Sequence, residues 1–447
     1  MKFFKFSSKF SRNVVKLASG TTIAQLIPVL ASPILTRLYS PEEFGKLAIF
    51  ISIVSVLSVL ATGRYELAVM LPKRTLNASR LVILSLTIAL LYSLLILFII
   101  LVLNFSNLQI LDTKYKGLWL YLIPLTVFIL GTHNTLSYWL GRQGEYTALA
   151  KNKAFQGFSI TFSQSIFAFL PSVVSGLILG RVLGSFISAL SLLKKFNSFN
   201  KQKYNPSTNS YRIIALAKRY KKFPFVNVWS ALLNTSSVQL PTIILTFIFS
   251  TTVTGFFSLA QRILQMPMTL IGSAIGRVFF ESSAKLKDQP EDLKRLTLKL
   301  YRTLSVLGFV PIVIILFYGE ELFGWVFGED WSIAGKYAKY LSIWIYFVFT
   351  SSPLSHLLTI FEKHFESVVF NGLLFFSRVG ILFIAYGLGL TANDTLALYG
   401  LVGAVAWVIL IFYLLKLAHV PSKEILAHLS LSLLILIPLG WLGINWS

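Results

Sequence analysis

Long continuous apolar runs organise this chain more than any other feature. Thirteen can be traced, near residues 14–38, 44–63, 81–103, 117–139, 154–170, 172–193, 223–249, 253–276, 301–318, 338–360, 367–390, 395–416 and 425–445. Each is close to the ~20 residues that an α-helix needs to cross a bilayer. A transmembrane β-barrel would alternate apolar and polar residues in shorter strands, so these runs exclude it. Composition agrees. Hydrophobic residues make up 55% and charged residues 13%, about half the charge of a soluble domain. Disordered chains are poor in apolar residues, so disorder is excluded as well. The expected fold class is an all-α polytopic membrane protein.

Charge sets the expected topology. Lys and Arg number 40 against 17 Asp and Glu, a net charge of +23. Basic residues collect in cytoplasmic loops, which orients the helices. The N-terminus carries Lys2, Lys5, Lys9, Arg12 and Lys16 without an acid, and is placed inside. The run behind it holds Pro28 and Pro33 and is too long for a signal peptide. Alternating from there puts Arg64, Lys73, Arg74, Arg80, Arg142, Lys151 and Lys153 in inside loops. The outside loops then include the acidic GEELFGWVFGEDW, expected as an interfacial loop between about Gly319 and Tyr340. The organisation read from this is a six-helix lobe (1–193), a basic cytoplasmic linker (194–222), a second six-helix lobe (223–416) and an additional helix (417–447). A thirteenth helix leaves the C-terminus outside.

The chain has no cysteine, hence no disulfide, thiolate metal site or Cys nucleophile. It holds no HExxH, GxSxG or P-loop, so no metal, cofactor, enzymatic activity or ATP use of its own is expected.

A shift of 210 residues aligns two hairpins without a gap: LTRLYSPEEFGKLAIFISI from Leu35 and LTFIFSTTVTGFFSLAQRI from Leu245. Leu35, Thr36, Ser40, Gly45 and Ile53 recur as Leu245, Thr246, Ser250, Gly255 and Ile263. Parallel repeats of this kind build two-lobed transporters with the binding site between lobes.

Three arginines fall within apolar runs: Arg181 in LILGRVLGS, Arg262 in SLAQRILQM and Arg378 in LLFFSRVGILF. A charge at that depth costs about 2.5–3.5 kcal/mol on insertion scales, and such residues face water-filled cavities or partners. Every Asp and Glu is expected in a loop or at a helix end, so the arginines lack acidic partners at their own depth. Forked guanidinium donors suit a phosphate-bearing anion. The alternative for each is a bond to helix carbonyls. Gln25, Gln261 and Asn134 could line the same cavity or bond neighbouring helices. His133 is the histidine best placed for a proton-linked role. Arg64 and Glu66, in ATGRYELAVMLP, are read as a pair that gates the inner mouth or sits at the interface. Arg142, in an inside loop, is expected to tolerate alanine.

Several strings resemble the Wzx-type polysaccharide flippases, relatives of the MATE exporters and the lipid II flippase. They are LASGTTIAQLIPVLASPILTRLYSPEEFGKLAIF, ATGRYELAVMLP, KKFPFVNVWSALLNTSSVQLP and GFFSLAQRILQMPMTLIGSAIGRVFFESSAK. The resemblance implies two six-helix bundles in a V. It implies alternating-access movement of undecaprenyl-diphosphate-linked oligosaccharide from the cytoplasmic to the periplasmic leaflet, coupled to a proton or sodium gradient. Membrane lipids, a polysaccharide polymerase and a chain-length regulator are the implied partners. By motif match it adds Arg37 to Arg262 as substrate-binding positions. A polymerase or ligase would call for a large periplasmic loop. A MATE-type drug exporter would call for an intramembrane acid. Nucleic acid is not an expected partner.

Overall fold

The computed structural model describes residues 22, 26–105, 117–170, 174–203, 210–268 and 272–445. The expected site residue Gln25 lies outside them. From 44–63 onward the described residues of the apolar runs lie mainly in helices, but 253–276 divides between two helices, Thr251–Leu264 and Ser273–Lys285, and 338–360 bends after Ser351. Among the described residues, eight helices are long and apolar enough to span a membrane. They are nine if the bent pair Glu329–Ser351 and Pro353–Ile360 counts as one span. The described parts of the other runs lie in helices that are shorter or richer in polar residues. The chain divides into two compact units, one containing Lys46–Gln239, the other Ser32–Gly45 with Leu240–Ser447.

In the first unit, α2 (Pro41–Ser58) enters from its Lys46 onward, followed by α3 (Tyr65–Ala68), α4 (Thr75–Phe105), α5 (Leu122–Arg142), α6 (Tyr146–Phe167) and α7 (Gly176–Lys203). Helix α4 is patterned inversely to a soluble helix. Its exposed face is Leu90, Leu91, Leu94, Leu95 and Phe98, while Ser79, Ser85, Ala89 and Ser93 point into the protein. Small residues let helices approach closely where lipid removes any hydrophobic drive between them. The basic segment expected as a linker continues α7 to Lys203 and then forms the short helix α8 (Ser210–Arg219). Leu216 of α8 is buried with Tyr65, Leu81, Leu136 and Trp139. Tyr211, Arg212, Ile214, Lys218 and Arg219 are exposed. A basic helix with one apolar face is built for a membrane surface. The Tyr65 hydroxyl pins it by donating to the Ala217 carbonyl at 3.0 Å.

The second unit holds α1 (Ser32–Leu38), the first turns of α2, and the end of α9 (Val228–Ile248). Next come α10 (Thr251–Leu264), α11 (Ser273–Lys285), α12 (Pro290–Phe327), α13 (Ser332–Ser351), α14 (His356–Ile360), α15 (His364–Gly387), α16 (Ala392–Leu417) and α17 (Ser422–Asn445). The internal repeat is structural. Helix α1 ends at Leu38 and α9 at Ile248; α2 begins at Pro41 and α10 at Thr251. Both second helices are capped alike, Ser40 Oγ accepting from the Glu43 N–H at 3.4 Å and Ser250 Oγ from the Val253 N–H at 3.1 Å. Such a cap satisfies an N–H that the helix itself leaves unbonded. The copies also meet: Gly45 lies against the Thr251 carbonyl, and Gly255 against that of Pro41.

The expected outer loop from Gly319 to Tyr340 is largely helical. Helix α12 bends at Tyr318 and runs on to Phe327, and a 3₁₀ turn at Glu329–Trp331 leads into α13. Trp331 is buried. Its indole N–H donates to the Thr36 carbonyl at 3.0 Å, and its ring meets Phe44 and Phe256 edge-on. Burying this aromatic between the two repeat hairpins outweighs leaving it at the interface. The thirteenth run is the helix α17, packed on α12, α13 and α16.

Candidate functional site

Arg181 lies in the second turn of α7, in the first unit. It is half-buried, and no carboxylate pairs with it among the described residues. Nearby on the same pair of helices, Gln164 of α6 donates to the Leu177 carbonyl at 2.9 Å and is buried. A cation kept in an apolar helix, accessible yet unpaired with an acid, retains its full capacity to bind an anion.

A second group of polar residues in this unit is hydrogen-bonded together. His133 Nε2 sits 3.0 Å from Asn152 Oδ1. Asn152 Nδ2 donates to the Ser188 carbonyl at 3.0 Å and to Ser191 Oγ at 2.6 Å, and Ser188 Oγ donates to Asn152 Oδ1 at 3.2 Å. His133 is therefore part of a buried lock between α5, α6 and α7. Asn152 was not apparent from sequence, because its neighbours Lys151 and Lys153 make the segment read as a loop.

Arg64 and Glu66 do form a pair, at 3.5 Å. Glu66 is buried and accepts from the Thr62 hydroxyl, so this acid is inside the protein rather than at a solvated helix end. The turn that carries it is strained: Gly63 has φ 56° and Arg64 φ 61°, left-handed backbone that a branched or bulky residue pays to adopt. Arg142 is not a free loop residue. Its guanidinium donates to the carbonyls of Val69, at 3.3 Å, Met70, at 2.9 Å, and Pro72. The expectation that it tolerates alanine is corrected: it ties the end of α5 to the chain leaving α3.

In the second unit, Gln261 and Arg262 are half-buried in the last turn of α10, just before the break between α10 and α11. A cation at a helix C-terminus is favoured by the helix dipole. Arg378 of α15 is buried. Its guanidinium lies over the Trp344 ring, 4.7 Å from the centroid, and Trp344 in turn packs edge-on against Tyr399. No carboxylate pairs with Arg378 among the described residues. Arg37 is exposed at the end of α1 and donates to the Trp325 carbonyl at 3.5 Å. Of the four arginines, Arg181 belongs to one unit and Arg37, Arg262 and Arg378 to the other.

Sequence reasoning missed Lys339. Expected near the outer surface, it is fully buried, with Nζ 3.1 Å from Glu320 Oε1 across the contact of α12 and α13. The signal was present, since Lys339 stands in an apolar helix and Glu320 in its partner, but the loop assigned to Gly319–Tyr340 hid both.

The family model described as polysaccharide biosynthesis protein matches residues 34–335. The chain belongs to this family. A lipopolysaccharide biosynthesis protein of Escherichia coli K12, WzxC, is 22% identical over 151 residues, 34% of this chain and 30% of its own length. A membrane protein from the cps region of Klebsiella pneumoniae is 24% identical over 361 residues, 79% of this chain and 71% of its own. Among solved structures, a MATE-family multidrug transporter of the MOP superfamily, in an inward-facing conformation, superposes with a TM-score of 0.65 at 14% identity. That match covers 92% of this chain and 96% of the other. A MOP-superfamily transporter from Pyrococcus furiosus gives 0.58 at 14%, covering 92% and 97%. The fold of this polysaccharide biosynthesis protein is thus that of the MOP transporters.

Proposed function

We propose that the protein is a flippase for undecaprenyl-diphosphate-linked oligosaccharide repeat units in surface polysaccharide biosynthesis. It carries them from the cytoplasmic to the periplasmic leaflet of the inner membrane by alternating access. The observation that carries this reading is Arg181, a half-buried intramembrane cation with no carboxylate partner among the described residues, in a chain of the polysaccharide biosynthesis family. A diphosphate brings negative charge and several acceptor oxygens, and charge-assisted bonds to it are roughly twice as strong as neutral ones. The relatives in lipopolysaccharide and cps contexts support a polysaccharide substrate. In the same proposal residues 1–193 and 223–416 are the two lobes, 194–222 joins them, and 417–447 is an added helix ending in the periplasm. Arg262, Arg37 and Gln261 are further substrate contacts, with Arg64 and Glu66 at the inner mouth. Without an ATPase motif, direction comes from a proton or sodium gradient or from consumption of product by a polymerase and its chain-length regulator.

A deletion strain tests the reading. Lipid-linked repeat units accumulate on the cytoplasmic side when the flippase is missing, and surface polysaccharide is lost. A strain that still exports single, unpolymerised units would identify a polymerase instead. Arg262→Lys retains part of the export, Arg262→Ala loses most and Arg262→Glu abolishes it, each at normal membrane abundance.

A further inference from the structure

The first turns of α12 and the start of α17 enclose a cavity of about 420 Å³ at one polar end of the second unit. Its polar lining is Lys294, Arg295, Lys299 and Arg302, with Glu291 and Glu424. The four cations recur along one face of α12, at successive intervals of one, four and three residues. Glu424 is shared, 3.7 Å from Lys294 and 3.4 Å from Arg302. Arg302 is further oriented by His428, whose Nε2 lies 2.9 Å from its Nη2. Arg295 has no carboxylate partner among the described residues, and it is exposed beside Lys299. The cavity is thus a cationic recess in which four basic residues outnumber two acids.

What lies along the same helix identifies the occupant. From Arg302, steps of four residues reach Val306, Val310 and Ile314, and Leu307 follows Thr303; all four apolar side chains are exposed. On α17, Leu426, Leu434 and Ile437 are exposed as well. A basic recess opening directly onto an exposed apolar stripe fits a molecule with an anionic head and a hydrocarbon tail. A free phosphate would use the recess and leave the stripe idle.

We infer that this recess binds the phosphate headgroup of an anionic phospholipid, whose acyl chain runs along the Val306–Val310–Ile314 face. Basic pockets between membrane helices are suited to anionic headgroups, each Lys or Arg adding to the attraction. This site belongs to the second unit alone and does not rest on the flippase reading. Here the additional helix α17 supplies Glu424 and His428, which order the cations of α12.

The test is lipid binding to the purified full-length protein in mild detergent, read by native mass spectrometry. Phosphatidylglycerol, phosphatidylcholine and inorganic phosphate are titrated separately. The double variant Arg295→Gln/Lys299→Gln leaves the Glu424 pairs intact, and Lys285→Gln, an exposed lysine outside the recess lining, serves as a control. The wild type and the control prefer phosphatidylglycerol over phosphatidylcholine by about tenfold, and the double variant loses that preference. Inorganic phosphate at millimolar concentration does not displace the bound lipid. The inference is overturned if the double variant keeps the preference. It is also overturned if inorganic phosphate alone saturates the recess and phosphatidylglycerol shows no preference in the wild type.

Discussion

Gly45 and Gly255 occupy the same position in two copies of one hairpin, and each lies against the backbone of the other copy. Gly45 meets the carbonyl of Thr251, and Gly255 meets that of Pro41. Pro41 and Thr251 are themselves equivalent, as the first residues of α2 and α10. The contact is therefore reciprocal. Small residues are what lets two membrane helices approach this closely. Trp331 covers the same place, bonded to Thr36 and packed on Phe44 and Phe256.

A methyl group at either glycine overlaps backbone that has no rotamer with which to escape. Gly45→Ala and Gly255→Ala each lower stability by about 1–3 kcal/mol, the usual cost of overpacking. Gly372, on α15, has nothing within 4 Å of an added Cβ, and Gly372→Ala leaves stability unchanged or slightly higher. Thermal unfolding of the purified proteins in one detergent checks this. Equal melting temperatures for the three variants would show that the hairpin contact is dispensable.

Arg142 supplies a second test. Losing its bonds to the Val69, Met70 and Pro72 carbonyls costs about 1.5–3 kcal/mol, because bonds to a charged donor are the stronger ones. Arg142→Ala therefore lowers the melting temperature and the membrane abundance, and Arg142→Lys recovers only part, since one ammonium cannot span the fork. A fully stable Arg142→Ala protein would return the residue to the role of a solvated loop charge.

The Lys339–Glu320 pair predicts non-additivity. Lys339→Met alone leaves the half-buried Glu320 carboxylate without its partner and lowers the unfolding midpoint, whereas Lys339→Met with Glu320→Gln restores most of the loss. A double-mutant cycle on the unfolding midpoint measures it. Additive effects would mean that the two groups do not interact.

Much of this was legible in the sequence because hydrocarbon leaves few choices. With no water to bond the backbone, long apolar runs had to be helical, and from 44–63 onward their described residues lie mainly in helix, 253–276 being divided between two. The repeat was legible because Ser40/Ser250 and Gly45/Gly255 perform jobs that few other residues can. Side-chain partners were not. Glu66 looked like an interfacial acid but is turned inward by a left-handed bend at Gly63 and Arg64. For Arg378, hydropathy reports depth but not direction, so its place over the Trp344 ring had no signature in the sequence. The segment from Gly319 to Tyr340 looked like a loop because it is rich in acids and glycines. It is held as helix by Trp331 and by the close approach of α12 to α13.

Arg378 and Arg181 should accordingly behave differently. Arg378→Gln forfeits a buried cation–π contact of about 2 kcal/mol and lowers abundance, while export per molecule in the membrane stays near normal. Quantitative immunoblotting beside surface polysaccharide separates the two quantities. Normal abundance with abolished export would instead make Arg378 a substrate contact.

The most direct measurement of the central claim is complementation of a deletion strain by Arg181 variants, scored as surface polysaccharide per unit of membrane-inserted protein. Arg181→Lys keeps the charge but loses the fork and restores part of the export. Arg181→Gln restores little, and Arg181→Glu, which repels a diphosphate, restores none and leaves lipid-linked repeat units on the cytoplasmic side. Full export by Arg181→Glu at wild-type abundance would contradict the account, since no diphosphate could then be meeting a guanidinium at that position.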